Sequence, residues 1–282
     1  LYQALTIFAG FVASRQIDSI DRIIRAMTWF MFDLCKFRRK LILSNLHIAF
    51  GKEKSATELV NIGRASVYHF LCSLFEILYS AKNSIREDIQ IVGKENLDCA
   101  LAPRKGAYVI CCHIGNWEAM GAAYTHSLTP AYVIVKKIGV ASVNRFIEET
   151  RDRIGFRYVK REKKGDAFRQ IGQILGRNEI VGFVMDQARP GEPRLPFFGT
   201  PAKTNTSFAA IWRRSPAPIV PSFIVRRSFN KHTLYIWPEL AIANSEVEKA
   251  DILRHSQQFN DTVEAMIRQC PEQYFWMHNR WK

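Results

Sequence analysis

An apolar run that ends on a histidine, with a glutamate five residues further on, is the part of this chain best suited to chemistry. It reads YVICCHIGNWE from Tyr108 to Glu118. A base at a strand end, with a carboxylate near enough to orient it, is what deprotonating an alcohol requires. On one continuous helix, residues five apart point about 140° away from each other, so His113 and Glu118 could not meet that way. Gly115 and Asn116 supply a turn between them. That turn predicts that Glu118, at the start of the next helix, folds back to the imidazole, fixes one tautomer and stabilises the imidazolium. The same residues also fit a buried histidine beside an unrelated helix-start glutamate. The strand before and the turn after put the two readings on an equal footing.

The elements that must position these residues alternate along the second part of the chain. Strand-like runs fall at 107–112, 131–135, 155–159, 180–185, 218–225 and 233–237. Helical runs fall near 118–126, 141–154, 166–176, 204–213 and 247–268. The expected fold is α/β: a mixed, largely parallel sheet flanked by helices over 86–282, behind an N-terminal helical, membrane-associated segment over 1–85. Ligands of open α/β sheets collect outside the carboxyl ends of the strands, where His113 falls. The stripe Val67, Phe70, Leu71, Leu74, Phe75 and Leu78 has helical spacing and reads as core. Pro190 to Pro201 reads as a Pro/Gly-rich surface loop.

The HIGNWE segment resembles the His-x4-Asp/Glu motif of glycerolipid acyltransferases. More closely, it resembles the H-x-G-N-W-E of the bacterial lipid A biosynthesis (late) acyltransferase family. Other pieces fall in that family's order: Arg39 with Asn45-Leu46 and Ala49-Phe50, then Asp186-Gln187 at a strand end, then Pro196 to Gly199 (PFFG) with Ala202 and Thr204, and last the terminal WMHNRWK. The resemblance covers nearly the whole chain. It departs after the second strand, where the family usually carries an arginine and this chain has Lys136-Lys137, and in the short loop after Asp186, which contains Arg189.

The resemblance implies acyl transfer from an acyl-carrier-protein or CoA thioester to a hydroxyl of a phosphorylated, Kdo-bearing lipid A precursor. It places the reaction on the cytoplasmic face of a bacterial inner membrane. His113 would take the hydroxyl proton, oriented by Glu118, with no covalent intermediate, metal or cofactor. Another acceptor within the family's range is a phosphatidylinositol mannoside acylated from acyl-CoA. Candidate substrate contacts are Gly115, Asn116, Trp117, Lys136, Arg151, Phe198 and Gly199. The backbone near Gly115 and the Asn116 side chain are candidate oxyanion donors. Arg151 has an arginine counterpart in the family and suits bidentate phosphate binding. Phe198 and Gly199 line an acyl channel or close the core. Asp186, with Gln187, is a second acid, a metal ligand or a support that bonds loop amides. Thr204 suits a helix cap. WMHNRWK fits a membrane interface or packing on the catalytic domain equally well.

Composition sets the outer limits. The 282 residues are 48% hydrophobic and 23% charged, enough for a large core and unlike a disordered chain. The net charge of +14 and pI of about 9.7 predict an acidic partner: nucleic acid, an anionic membrane or a phosphorylated substrate. No nucleic-acid-binding signature appears, which argues against the first. Six cysteines without regular spacing read as reduced core residues, with the neighbours Cys111 and Cys112 on opposite strand faces. Residues 1–14 carry no charge but are shorter than the ~20 residues of a spanning helix, and residue 1 is Leu, which leaves a longer anchor open. The Ile-, Met-, Trp- and Phe-rich stretch 20–35 followed by Lys36 to Lys40 (KFRRK) fits a membrane-surface helix as well as a solvated helix end.

Overall fold

Helices fill the first 79 residues of the computed structural model, which describes residues 1–85, 88–135, 139–160, 166–187, 191–245 and 247–281. They are α1 (Tyr2–Ala13), α2 (Ile17–Thr28), a π-helical segment (Trp29–Leu34), α3 (Arg39–Phe50) and α4 (Ala56–Tyr79). The start of α4 is sharply defined. Ser55 and Glu58 form a reciprocal capping box, which satisfies two backbone donors that the helix leaves open. Of the expected α4 stripe, Val67, Leu71 and Phe75 are buried and Leu74 is exposed.

A seven-stranded sheet follows, in the order β1-β9-β8-β2-β5-β3-β4. Its strands are β1 (Ile89–Val92), β2 (Ala107–Cys111), β3 (Ala131–Val135), β4 (Arg157–Lys160), β5 (Ile180–Val184), β8 (Ile219–Ser228) and β9 (Lys231–Ile236). All described pairings are parallel except β8 with β9. The remaining helices are α5 (Lys94–Leu101), α6 (Trp117–Ser127), α7 (Ala141–Ile154), α8 (Asp166–Gly176), α9 (Ser207–Arg214) and α10 (Glu248–Gln269). The mixed, mostly parallel α/β sheet is therefore as expected. β1 and α5 were not foreseen, because IQIV is too short to stand out. The stretch read as a loop holds instead an antiparallel hairpin of β6 (Arg194–Phe197) and β7 (Thr200–Lys203).

β2 is central because every residue in it is buried. Tyr108, Ile110 and Cys112 join one core cluster, while Ala107, Val109 and Cys111 join the other. That alternation is the two-residue period of a strand covered on both faces. The first cluster also takes in Phe32, Ile42, Leu46, Phe50 and Leu71, so the N-terminal helices and one face of the sheet share a core. Four cysteines are buried as expected, but Cys35 and Cys99 are exposed. The terminal segment packs inward: Trp276, Met277 and Arg280 are buried, and Asn45 donates to the carbonyls of Trp276 and His278. Among the described residues, no helix is long and apolar enough to cross a membrane.

Candidate active site

His113 leaves the carboxyl end of β2 into a turn that is held on both sides. The His113 carbonyl accepts from the Phe275 amide at 3.0 Å, and the Gly115 amide donates to the Gln273 carbonyl at 3.1 Å. Ser73 Oγ on α4 donates to the Gly115 carbonyl at 2.9 Å. Gly115 has φ +58°, and a Cβ there would lie 2.2 Å from the Ile224 carbonyl oxygen, so only glycine fits. Asn116 caps α6, its Oδ1 accepting from the amides of Glu118 and Ala119. Trp117 sets its ring edge-on to the imidazole, 4.8 Å between centroids.

The carboxylate that meets His113 is Asp186, just beyond β5, the strand next to β2. Asp186 Oδ1 lies 2.8 Å from His113 Nδ1, and Oδ2 accepts from the His113 amide at 3.1 Å. An ionised carboxylate only accepts, so Nδ1 carries the proton and Nε2 presents a lone pair. The imidazole is 19% exposed, and Nε2 has no hydrogen-bond partner among the described residues. Burial alone would lower the His113 pKa, but the charge and hydrogen bond of Asp186, with a smaller contribution from the Glu118 charge, outweigh it and hold it raised. Burial likewise works to raise Asp186, and the imidazolium charge with the two hydrogen bonds holds it below the ordinary carboxylate value. Gln187 Nε2 stands 3.5 Å from the same ring nitrogen.

Glu118 does not fold back as the turn predicted. Its carboxylate takes both Nε and an Nη of Arg151 on α7, at 2.9 and 2.6 Å, with the two side chains 6% and 16% exposed. The guanidinium also lies over the rings of Phe156 and Tyr158. No hydrogen bond joins Glu118 to His113 among the described residues. The reason is packing: α6 and α7 bring a fork-shaped cation to Glu118, and bidentate pairing outcompetes a reach back across the turn. Arg151 is correspondingly engaged within the protein, not held open for a phosphate.

Beneath the turn lies a buried charge network that the sequence reading missed. Glu76 on α4 is fully buried and accepts from Arg226 Nε and an Nη, both at 2.8 Å, and from Asn116 Nδ2 at 2.7 Å. His232 Nε2 lies 3.3 Å from the same carboxylate. Burial would raise the Glu76 pKa, yet Arg226 and His232 hold it far below the ordinary value. Burial and the Arg226 charge push His69 down to about 3, so it is neutral. The available signal was a glutamate amid the apolar stripe of α4 and an arginine closing the apolar run of β8.

The other candidates fall in different places. The Gly115 amide and the Asn116 side chain, proposed as oxyanion donors, are both committed to partners within the protein. Phe198 is buried against Phe50 and Trp276, and its amide donates to Glu264, while Gly199 is exposed. Thr204 does not cap a helix: α9 starts at Ser207, and Thr204 Oγ1 accepts from Asn260 at 2.9 Å. Lys136 lies outside the described residues. No cluster of three or more His, Cys, Asp and Glu side chains among the described residues could hold a metal.

A histidine held by an aspartate at the carboxyl end of a central parallel strand, with Nε2 free of partners among the described residues, can serve as a general base. The chain belongs to the bacterial lipid A biosynthesis acyltransferase family, whose pattern matches residues 4–282. It is similar to the lipid A biosynthesis palmitoleoyltransferase of Escherichia coli (strain K12), at 25% identity over 202 residues. It is similar to the same degree to the lipid A biosynthesis acyltransferase of Shigella flexneri. The match spans 70% of this chain and 63% of the length of each relative.

Proposed function

We infer that this protein transfers a fatty acyl chain from a thioester, carried by acyl carrier protein or CoA, to a hydroxyl of a phosphorylated Kdo-lipid A precursor. The observation that carries the reading is the Asp186 hydrogen bond to His113 Nδ1, which leaves Nε2 as the base. Nε2 takes the acceptor's hydroxyl proton as that oxygen attacks the thioester carbonyl. The tetrahedral intermediate collapses, the C–S bond breaks, and the leaving thiolate takes the proton from the imidazolium. Family membership and the names of the two relatives support the acyl chemistry and lipid A as its setting.

The reaction takes place on the cytoplasmic face of the inner membrane in this reading. Ile7, Phe8 and Phe11 on α1, with Trp29 and Phe30 after α2, are exposed and suit a bilayer interface. The test offers carrier-protein and CoA thioesters against a Kdo-lipid A precursor and a mannosylated phosphatidylinositol. Product with the lipid A precursor, absent in His113→Ala, is expected. Product with only the mannolipid would move the acceptor class, and product retained in His113→Ala would remove the base.

A further inference from the structure

The connection between α2 and α3 forms a cationic groove close to the proposed base. After the π-helical segment the chain passes through Lys36 and Arg38, both with left-handed backbone at φ 52° and 50°, a conformation rare for long side chains. The turn lines a groove of about 780 Å³ whose walls include Lys36, Arg38, Arg39, Lys40, Leu41 and Leu43. Arg39 is partly spent on Asp33, 3.8 Å away, and on the Phe32 ring. Lys36, Arg38 and Lys40 are exposed and have no ion-pair partner among the described residues. Leu34 and Phe37 stand beside them, 57% and 51% exposed.

The groove is tied to the reactive strand end. An Nη of Arg38 donates to the Met277 carbonyl at 3.0 Å, and two residues earlier the Phe275 amide donates to His113. His278, next in the chain, lies within electrostatic reach of both Arg38 and His113.

Three cations without counter-charges, a concave wall that includes Leu41 and Leu43, and the exposed Leu34 and Phe37 adjacent in the chain fit an anionic group attached to hydrocarbon chains. We propose that this groove holds a phosphate of the lipid acceptor, through Lys36, Arg38 and Lys40, with acyl chains lying along Leu34 and Phe37. The proposal rests on the acyl-acceptor reading above and adds to it the residues that select a phosphorylated lipid. An acidic carrier protein matches the charge as well, and a rise in donor KM alone is the outcome that would assign the groove to it.

The test uses Lys36→Gln/Lys40→Gln, since neither lysine side chain has a described hydrogen bond or ion pair. Binding of a phosphorylated disaccharide lipid and of its dephosphorylated form is measured in neutral detergent micelles, without turnover. Inorganic phosphate and phosphatidylglycerol vesicles are run as separate probes. The expected result is at least about tenfold weaker binding of the phosphorylated lipid, with the dephosphorylated lipid unaffected. In turnover, KM for the acceptor should rise and KM for the thioester should not. Equal loss for both lipids, no loss, loss seen only with phosphatidylglycerol vesicles, or a rise in donor KM alone overturns the assignment. Because binding is read without turnover, an inactive enzyme would count against the reaction and still leave the groove tested.

Discussion

His113 and Asp186 are 73 residues apart in the chain and meet at 2.8 Å across the adjoining ends of β2 and β5. The contact exists because the sheet inserts β5 between β2 and β3. A histidine ending one parallel strand is thereby placed beside an aspartate ending the next. Asp186 is also held by the His113 amide, so one carboxylate fixes both the ring and its backbone.

Replacing His113 with alanine should reduce acyl transfer by about 10³-fold or more, the loss expected when a positioned base is removed. The change also leaves the buried Asp186 carboxylate without its side-chain partner, so the unfolding midpoint should fall too, and turnover is compared per folded molecule. Steady-state turnover alongside urea denaturation checks this, and turnover within tenfold of wild type would remove His113 from the chemistry.

Glu118 should couple to Arg151 far more strongly than to His113. Truncating either member of the pair leaves a mostly buried charge, and about 2–3 kcal/mol of stability should be lost after allowance for the partial exposure of Arg151. In a double-mutant cycle of Glu118→Gln with Arg151→Gln, the second change should cost much less than the first. Additive losses would mean that the two side chains act separately.

Glu76→Ala should destabilise the protein by about 3–5 kcal/mol, because it leaves Arg226 buried without its counter-charge. It also removes the acceptor of Asn116 Nδ2, so the turn after His113 should loosen. Activity per folded molecule should therefore fall as well as stability. Amide exchange at Gly115 and Asn116 faster than in wild type would show the loosening, and unchanged exchange would confine the network to stability.

Gly115→Ala should impair turnover with little change in the rest of the fold. The added methyl meets the Ile224 carbonyl, and the backbone sits where alanine is strained. The turn must shift, and His113 shifts with it. Wild-type kinetics in this variant would show that the turn tolerates displacement.

What could be read from the sequence was what is local. The run 107–112 reads as a buried strand because it has no charge, and 141–154 reads as a helix because Phe146, Thr150 and Ile154 recur at helical spacing; both elements are present. His113 at a strand end follows from the same local run. The partner of His113 was not legible, since it depends on strand order, and no local pattern places β5 against β2. Glu118 was misdirected for the same reason: the position of Arg151 is set by how α6 and α7 pack. The β6–β7 hairpin was hidden by its prolines and glycines, which read as loop. Pro196 and Pro201 face each other in this isolated two-stranded unit, where missing donors cost little.

The most direct test of the central claim is the pH dependence of kcat/KM in wild type, Asp186→Asn and Glu118→Gln. The base must be neutral to act, so activity should rise as pH passes through a His113 pKa raised above its ordinary 6.5. Without the Asp186 carboxylate, burial dominates and lowers that pKa. The acidic limb should then move to lower pH in Asp186→Asn, while the plateau falls by about 10²–10⁴-fold from loss of the held tautomer. Glu118→Gln should move the limb far less. A limb that stays fixed in Asp186→Asn but shifts in Glu118→Gln would contradict the account and return the orienting role to Glu118.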